Sequence, residues 1–320
     1  MYKPFAQRVP DLQYRMLLKR LLESGIRVPS RQGADALMLW GVQMHFDMRN
    51  GFPMLMERNL APASAVHPQW QQAIGEICGF INGARTQEQL EKFGCHWWHL
   101  WVTSEKCADF GLFPGDLGSG SYGAAFHDYP TQTHQRGRMG QGFEGFNQYA
   151  HLLEQMRDFP GDRTHIIDPW VPYHTLQSKR RKRQVVVAPC HGWQHYRIIG
   201  NELYLHMWQR SGDLILGVPN NTIQYAALGM MVAQVLGLRF RAFVHTISDC
   251  HFYLQTPENT PGCKVSTEDV VRAMLVREPR AYPTVSIDST VTDLFAFRTE
   301  HFTLTDYHPH PGIKSIPAAI

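Results

Sequence analysis

Val187-Ala188-Pro189-Cys190-His191, Trp208-Gln209-Arg210-Ser211-Gly212-Asp213, Leu216-Gly217-Val218-Pro219-Asn220-Asn221 and His245-Thr246-Ile247-Ser248-Asp249-Cys250-His251-Phe252-Tyr253 follow one another in a single stretch of the chain. Around these motifs, Val185 to Val187, Trp193 to Ile199, Leu203 to Trp208 and Phe243 to Thr246 read as strands. Between the last two, Thr222 to Leu236 is almost wholly apolar and is closed by Gly237. A helix apolar on every side is a buried one. The stretch therefore predicts an α+β fold, a single large domain over 1–320 in which a mixed β-sheet packs around a long buried helix.

The same residues carry chemistry. Cys190 is a thiol placed after a predicted strand, beside His191 and within reach of Arg210 and of the basic run Lys179-Arg180-Arg181-Lys182-Arg183. A nucleophilic cysteine needs such local charge; a cysteine without it is a small core residue. Arg210 and Ser211, between Gln209 and Gly212, form a donor cluster suited to a phosphate, which a guanidinium grips in bidentate fashion; the other reading is an ion pair with Asp213 or another carboxylate. Asn221 is either the N-cap of the buried helix or an amide whose donor and acceptor complement O4 and N3–H of uracil. His251 and Tyr253, two apart, share a face if extended and could bond a sugar hydroxyl.

Outward from this centre the pattern stays α+β. Asp11 to Ile26 has helical spacing that Gly25 ends, and the loop holding Arg31 is either a phosphate cradle or a plain connector. Leu37 to Phe46 looks like a strand pair. Gln69 to Asn82 is an amphipathic helix with Glu76 among apolar neighbours, which is costly unless the carboxylate is paired, functional or turned to the surface. Cys95-His96-Trp97-Trp98-His99-Leu100-Trp101 has no zinc-ligand spacing, and its tryptophans argue for an apolar wall. Segments near 107–120, 131–146 and 176–184 read as loop insertions, the second a polar, Gly-rich lid without periodicity. Phe146 to Arg157 is again helical.

With 43% apolar residues among 320, the chain can bury a large core; a net charge of +3 gives no global attraction to nucleic acid or membrane. There is no run of eighteen apolar residues and no signal-peptide pattern at Met1, so a cytoplasmic protein with six reduced cysteines is expected.

At these motifs the chain resembles the folate-dependent thymidylate synthase superfamily. Pro189-Cys190-His191, Gln209-Arg210-Ser211 and His251-Phe252-Tyr253 stand in the family's order and spacing; Arg31, Gly41 through Phe46, Gly51-Phe52-Pro53, Glu76, Trp98, Trp101 and Tyr122 can be laid against its pattern with few gaps, and Asp306 to Lys314 and Ile316 to Ile320 look like its closing tail. The resemblance implies a homodimer joined through the sheet face, a pyrimidine nucleoside monophosphate as substrate and 5,10-methylenetetrahydrofolate as one-carbon donor. It implies that Cys190 adds to C6 of the base, with Glu76, Asn221, Tyr122 and Asp213 as further catalytic residues. Arg31, Gln209, Arg210, Ser211, Asn221, His251 and Tyr253 would bind the nucleotide, together with Arg163 of a partner subunit. Trp98, Trp101, Asp213 and Ile320 would bind the folate, with no metal.

The chain also departs from the pattern. Thr164 follows Arg163 where the family has a second arginine, Asn220 replaces a phenylalanine, Ser248 a glycine, and Val171 an asparagine. One charge-assisted contact, worth ~1.5 to 3 kcal/mol, is thereby lost unless Lys179 to Arg183 replace it. Added polarity near the base favours water reaching the transferred carbon. The expected reaction is deoxyuridylate hydroxymethylation, as in viral base modification; the alternatives are methylation to dTMP, hydroxymethylation of dCMP or CMP, and a non-catalytic nucleotide- or RNA-binding homologue.

Overall fold

The computed structural model describes residues 2–135 and 138–313, and of 132–144 the backbone alone. The helices are α1 (Gln13–Ser24), α2 (Gln69–Ile81), α3 (Gln87–Glu91), α4 (Ser104–Asp109), α5 (Tyr122–His127), α6 (Gln148–Asp158), α7 (Pro172–Thr175), α8 (Gly217–Val235) and α9 (Thr267–Leu275). The strands are β1 (Ile26–Val28), β2 (Ala36–Asp47), β3 (Tyr129–Gln135), β4 (Arg138–Phe146), β5 (Ile166–Ile167), β6 (Trp193–Ile199), β7 (Glu202–Asp213), β8 (Arg239–Tyr253), β9 (Thr284–Ile287) and β10 (Phe302–Thr305).

Six strands form one mixed sheet in the order β1-β2-β8-β7-β6-β5. Its pairs are antiparallel except β7 with β8, which run parallel and are joined by α8. A parallel pair needs such a crossover, and the crossover helix covers the sheet. Along β7, Leu203, Leu205, Met207 and Gln209 are buried while Tyr204, His206, Trp208 and Arg210 alternate with them. α2 packs on the far side of α8, so α8 is enclosed between a sheet and a helix and can be apolar throughout.

Several sequence expectations need correction. α8 starts at Gly217, five residues before the apolar periodicity, because Asp213 Oδ1 accepts the backbone N–H of Ile215 and Leu216 and Pro219 in the first turn needs no donor. Asn221 is thus inside the helix and not its N-cap. Leu37 to Phe46 lies in one strand, not two. β8 runs to Tyr253 because β2 and β7 pair with it along most of its length, so backbone hydrogen bonds hold the polar residues from Ser248 to His251 extended. Val185 to Val187 form no strand, so Cys190 sits in a loop leading to β6 rather than at a strand end. The 131–146 segment is no structureless loop: β3 and β4 pair as an antiparallel hairpin with one irregularity. Backbone bonds make a two-stranded ribbon, and its Gly-rich, polar sequence carries no period-two apolar signal. The 107–120 segment likewise begins inside α4.

The cysteines are all free, and no helix among the described residues is long and apolar enough to cross a membrane. Leu228, fully buried in the middle of α8, gives a test of this arrangement. Leu228→Ala should lower stability by about 2 to 5 kcal/mol, read from the shift in the guanidinium midpoint. An unshifted midpoint contradicts the enclosed position of α8.

Candidate active site

The loop before β6 brings Cys190 against β7. Arg210 Nη2 donates to Cys190 Sγ at 3.3 Å and to Ala188 O at 2.9 Å, while Nε donates to Pro189 O at 2.7 Å. Its backbone N–H donates to Cys190 O at 2.8 Å. The guanidinium thus wraps the Ala188-Pro189-Cys190 segment and aims positive charge at the sulfur, the surroundings that a nucleophilic thiol requires. From the other side, Tyr122 Oη accepts the Cys190 N–H at 2.7 Å. Burial raises the Tyr122 pKa, and negative charge on Cys190 raises it further, so the phenol keeps its proton.

His191 does not supply that charge. It is buried, its Nδ1 lies 2.7 Å from Tyr225 Oη, and its ring stacks on Tyr122 at 4.4 Å. Burial, with the neighbouring His245 and Arg210 charges, pushes its pKa down to about 3, so it stays neutral.

Glu76 faces α8 rather than solvent and is 6% exposed. Its Oε1 accepts from Trp97 Nε1 at 2.7 Å and from Trp98 Nε1, with Cys95 Sγ 3.9 Å away; its Oε2 accepts from Gln224 Nε2. Burial raises its pKa, and these donors only partly offset the shift. From Glu76 a row of amides runs back to the sheet. Asn221 Nδ2 donates to Gln224 Oε1 at 3.0 Å, and Gln209 Nε2 donates to Asn221 Oδ1 at 3.0 Å and to Ser211 O at 2.8 Å. Gln209 Oε1 faces Nε2 of His245 at 2.8 Å, and burial lowers the His245 pKa to about 3, so a neutral imidazole donates there. A carbonyl and a carboxylate accept only. The Ser211 carbonyl at one end and Glu76 at the other therefore force one direction on every amide between them. Asn221 keeps one N–H and one lone pair, in fixed orientation, for a ligand.

The remaining expected residues fall on the same rim or outside it. His251 Nδ1 is 2.8 Å from Asp249 Oδ1 and its ring meets Tyr253 edge-on at 4.9 Å. Burial lowers the His251 pKa, but the hydrogen bond to Asp249 and the charge of Asp213 outweigh it and the net shift is upward. Ser211 follows Arg210 in β7, and Asp213 closes the strand. Arg31 is exposed in the loop between β1 and β2, and its charge acts weakly on Arg183. Trp98 and Trp101 stand 5.9 Å apart, Trp98 packed on Phe80. Arg163 is exposed on the turn before β5 and has no contact with its own chain's cluster among the described residues. Ile320 and the tail from 314 lie outside the described residues. Among the described residues no group of three His, Cys, Asp or Glu could hold a metal; His96 instead stacks on His67 at 3.8 Å.

Two contributors were not read from the sequence. Gln224 was legible as a polar side chain in an apolar helix, three residues after Asn221 and so on its face. Trp97 carries no signal beyond its neighbours, since only the fold turns its N–H toward Glu76.

Glu76 makes stability depend on pH in a definite direction. Its folded pKa lies above the ordinary glutamate value of about 4.3, so the folded state holds its proton to higher pH. Wild type loses stability as pH rises from that value through the folded one. Glu76→Gln has no such loss, and the melting temperature of the variant minus that of wild type should rise across that window. A difference flat from pH 4 to pH 8 contradicts a carboxylate titrating in this enclosure.

The sequence model of the thymidylate synthase family matches residues 12–319. The chain belongs to that family, whose members are one-carbon transferases acting on pyrimidine nucleotides with methylenetetrahydrofolate.

Proposed function

We propose that the protein is a deoxyuridylate hydroxymethylase, converting dUMP to 5-hydroxymethyl-dUMP. The observation that carries this reading is the Cys190 sulfur under the Arg210 guanidinium, beside an amide row of fixed direction that ends in a buried carboxylate. Cys190 Sγ gives an electron pair to C6 of the pyrimidine, and the ring π pair moves to C5 and O4. C5 would then bond the one-carbon unit, whose bonds to the donor's nitrogens break so that tetrahydrofolate is released before water adds. Asn221 offers its free N–H and lone pair to the base edge, and an amide that cannot turn serves uracil or cytosine, not both. Glu76 receives the C5 proton through a water. Water adds to the new exocyclic carbon, and the thiolate leaves C6 as the ring double bond re-forms.

Trp98 and Trp101 offer a tilted aromatic wall that fits a flat bicyclic donor. When bound, methylenetetrahydrofolate supplies a carbon at the oxidation level of formaldehyde. In hydroxymethylation one carbon and one water enter and the tetrahydrofolate leaves unoxidised; a methyl product would instead take a hydride from it. Asn220 favours water. Its Nδ2 donates to Leu216 O at 2.9 Å, while its Oδ1 is buried without a partner in the first turns of α8. A buried acceptor of that kind is a place for an ordered water.

The assembly in this proposal is a homodimer in the cytoplasm, where its thiols stay reduced. The sheet face turned away from α8 bears a polar row in which His206 and Gln43 both bond Thr246, and His45 bonds Gln43. That face meets a second copy, and Arg163, idle in its own chain, reaches the partner's phosphate site.

Incubation with dUMP and methylenetetrahydrofolate, followed by mass measurement of the nucleotide, tests the reading. The expected product is heavier than dUMP by CH2O, with no dihydrofolate absorbance, and dCMP and CMP stay unmodified. Formation of dTMP with dihydrofolate, or turnover of the cytosine nucleotides instead, overturns it.

A further inference from the structure

We propose that Arg183 is a substrate-binding residue, its guanidinium joining those of Arg31 and Arg210 around the phosphate monoester of the nucleotide. This rests on the reading that the substrate is a nucleoside monophosphate. Of the basic run, Lys179, Arg180, Arg181 and Lys182 are exposed, whereas Arg183 is half-buried. Its Nη2 donates to Val186 O at 2.7 Å and its guanidinium lies over the Phe110 ring at 4.6 Å. Its Nε is buried with no partner. Arg181, by contrast, folds back on Tyr173.

Among the described residues no carboxylate pairs with Arg31, Arg183 or Arg210. Burial, followed by the positive charge of Arg210, lowers the Arg183 pKa; Cys190 opposes that shift and Arg31 adds to it. Arg183 and Arg210 donate to Val186 O and Ala188 O, two residues apart on the segment that ends at Cys190, and Arg31 lies close enough for its charge to act on Arg183; none of the three is neutralised, and the buried Arg183 Nε has no acceptor. An anion with several acceptor oxygens satisfies all three.

The position of Arg183 is fixed by its neighbours rather than by its own exposed loop. Gln184 N–H donates to His174 O at 2.8 Å and Gln184 O accepts from Gly120 N–H at 3.1 Å, while Val186 N–H donates to Leu117 O at 3.0 Å. At Gly118 (φ +100°), a Cβ would come within 2.3 Å of Gln184 O, so only glycine allows this approach. The 107–120 and 176–184 segments therefore lock together, Phe110 of the first holding Arg183 of the second against Val186, four residues before the thiol.

The test needs no turnover. Alkylation of Cys190 by iodoacetamide, followed by peptide mass, is titrated with inorganic phosphate. The half-effect concentration should rise about ten-fold or more in Arg183→Gln, recover in part in Arg183→Lys, and stay put in Arg180→Gln. The nucleotide KM should rise in parallel while the folate KM does not. Arg183→Gln titrating like wild type, no phosphate effect in wild type, or a change confined to the folate KM overturns the proposal. If phosphate binds as expected but no nucleotide reacts, the functional reading falls and this anion site stands.

Discussion

A carboxylate shut between α2 and α8 is the constraint on which the site depends. Removing such a charge from water costs several kcal/mol unless donors replace the water. Glu76 gets them from the indoles of Trp97 and Trp98 and from the amide of Gln224. The consequence reaches past Glu76. Because Gln224 must donate to it, Asn221 must donate to Gln224, and Gln209 to Asn221; the Ser211 carbonyl imposes the same order from the sheet. One buried charge and one backbone acceptor thereby hold the Asn221 amide in a single orientation.

The Cys190 sulfur is served separately, by a cation that belongs to the sheet. Arg210 alternates outward on β7 while Gln209 points inward to α8, so adjacent residues serve the two halves of the site, the guanidinium at Cys190 on one face and the amide row on the other. That division follows from the period of a strand. It also explains why His191, though next to Cys190, has no part in generating charge: it is turned into the core beneath Tyr122 and kept neutral.

Much of this was legible in the chain. α2, β6 and the interior of α8 follow from apolar periodicity, and the clustering of Cys190, Arg210, Ser211, Asn221, His251 and Tyr253 follows from their motifs. What was not legible depends on tertiary neighbours. The β3–β4 hairpin is made by backbone pairing that leaves no apolar alternation, and the early start of α8 follows a turn in which Asp213 Oδ1 accepts the N–H of Ile215 and Leu216, outside the apolar run. β8 stays extended through Ser248, Asp249 and His251 only because strands flank it. The direction of the amide row cannot be read from any one residue, since each amide is symmetric in sequence terms and becomes polarised only by its anchors. Of the five basic residues from 179 to 183, charge alone gives no reason to single out Arg183; the burial of that one side chain does.

The chemistry assigned to the site stands on a sulfur–carbon bond formed while the pyrimidine is held by Asn221. Intact-protein mass after incubation with 5-fluoro-dUMP and methylenetetrahydrofolate, then denaturation, measures that bond directly, because fluorine at C5 cannot leave as the proton does. The account predicts a mass increase of nucleotide plus one-carbon donor, mapped to the Cys190 peptide and absent in Cys190→Ala. An unaltered polypeptide mass, or an adduct on another cysteine, contradicts it.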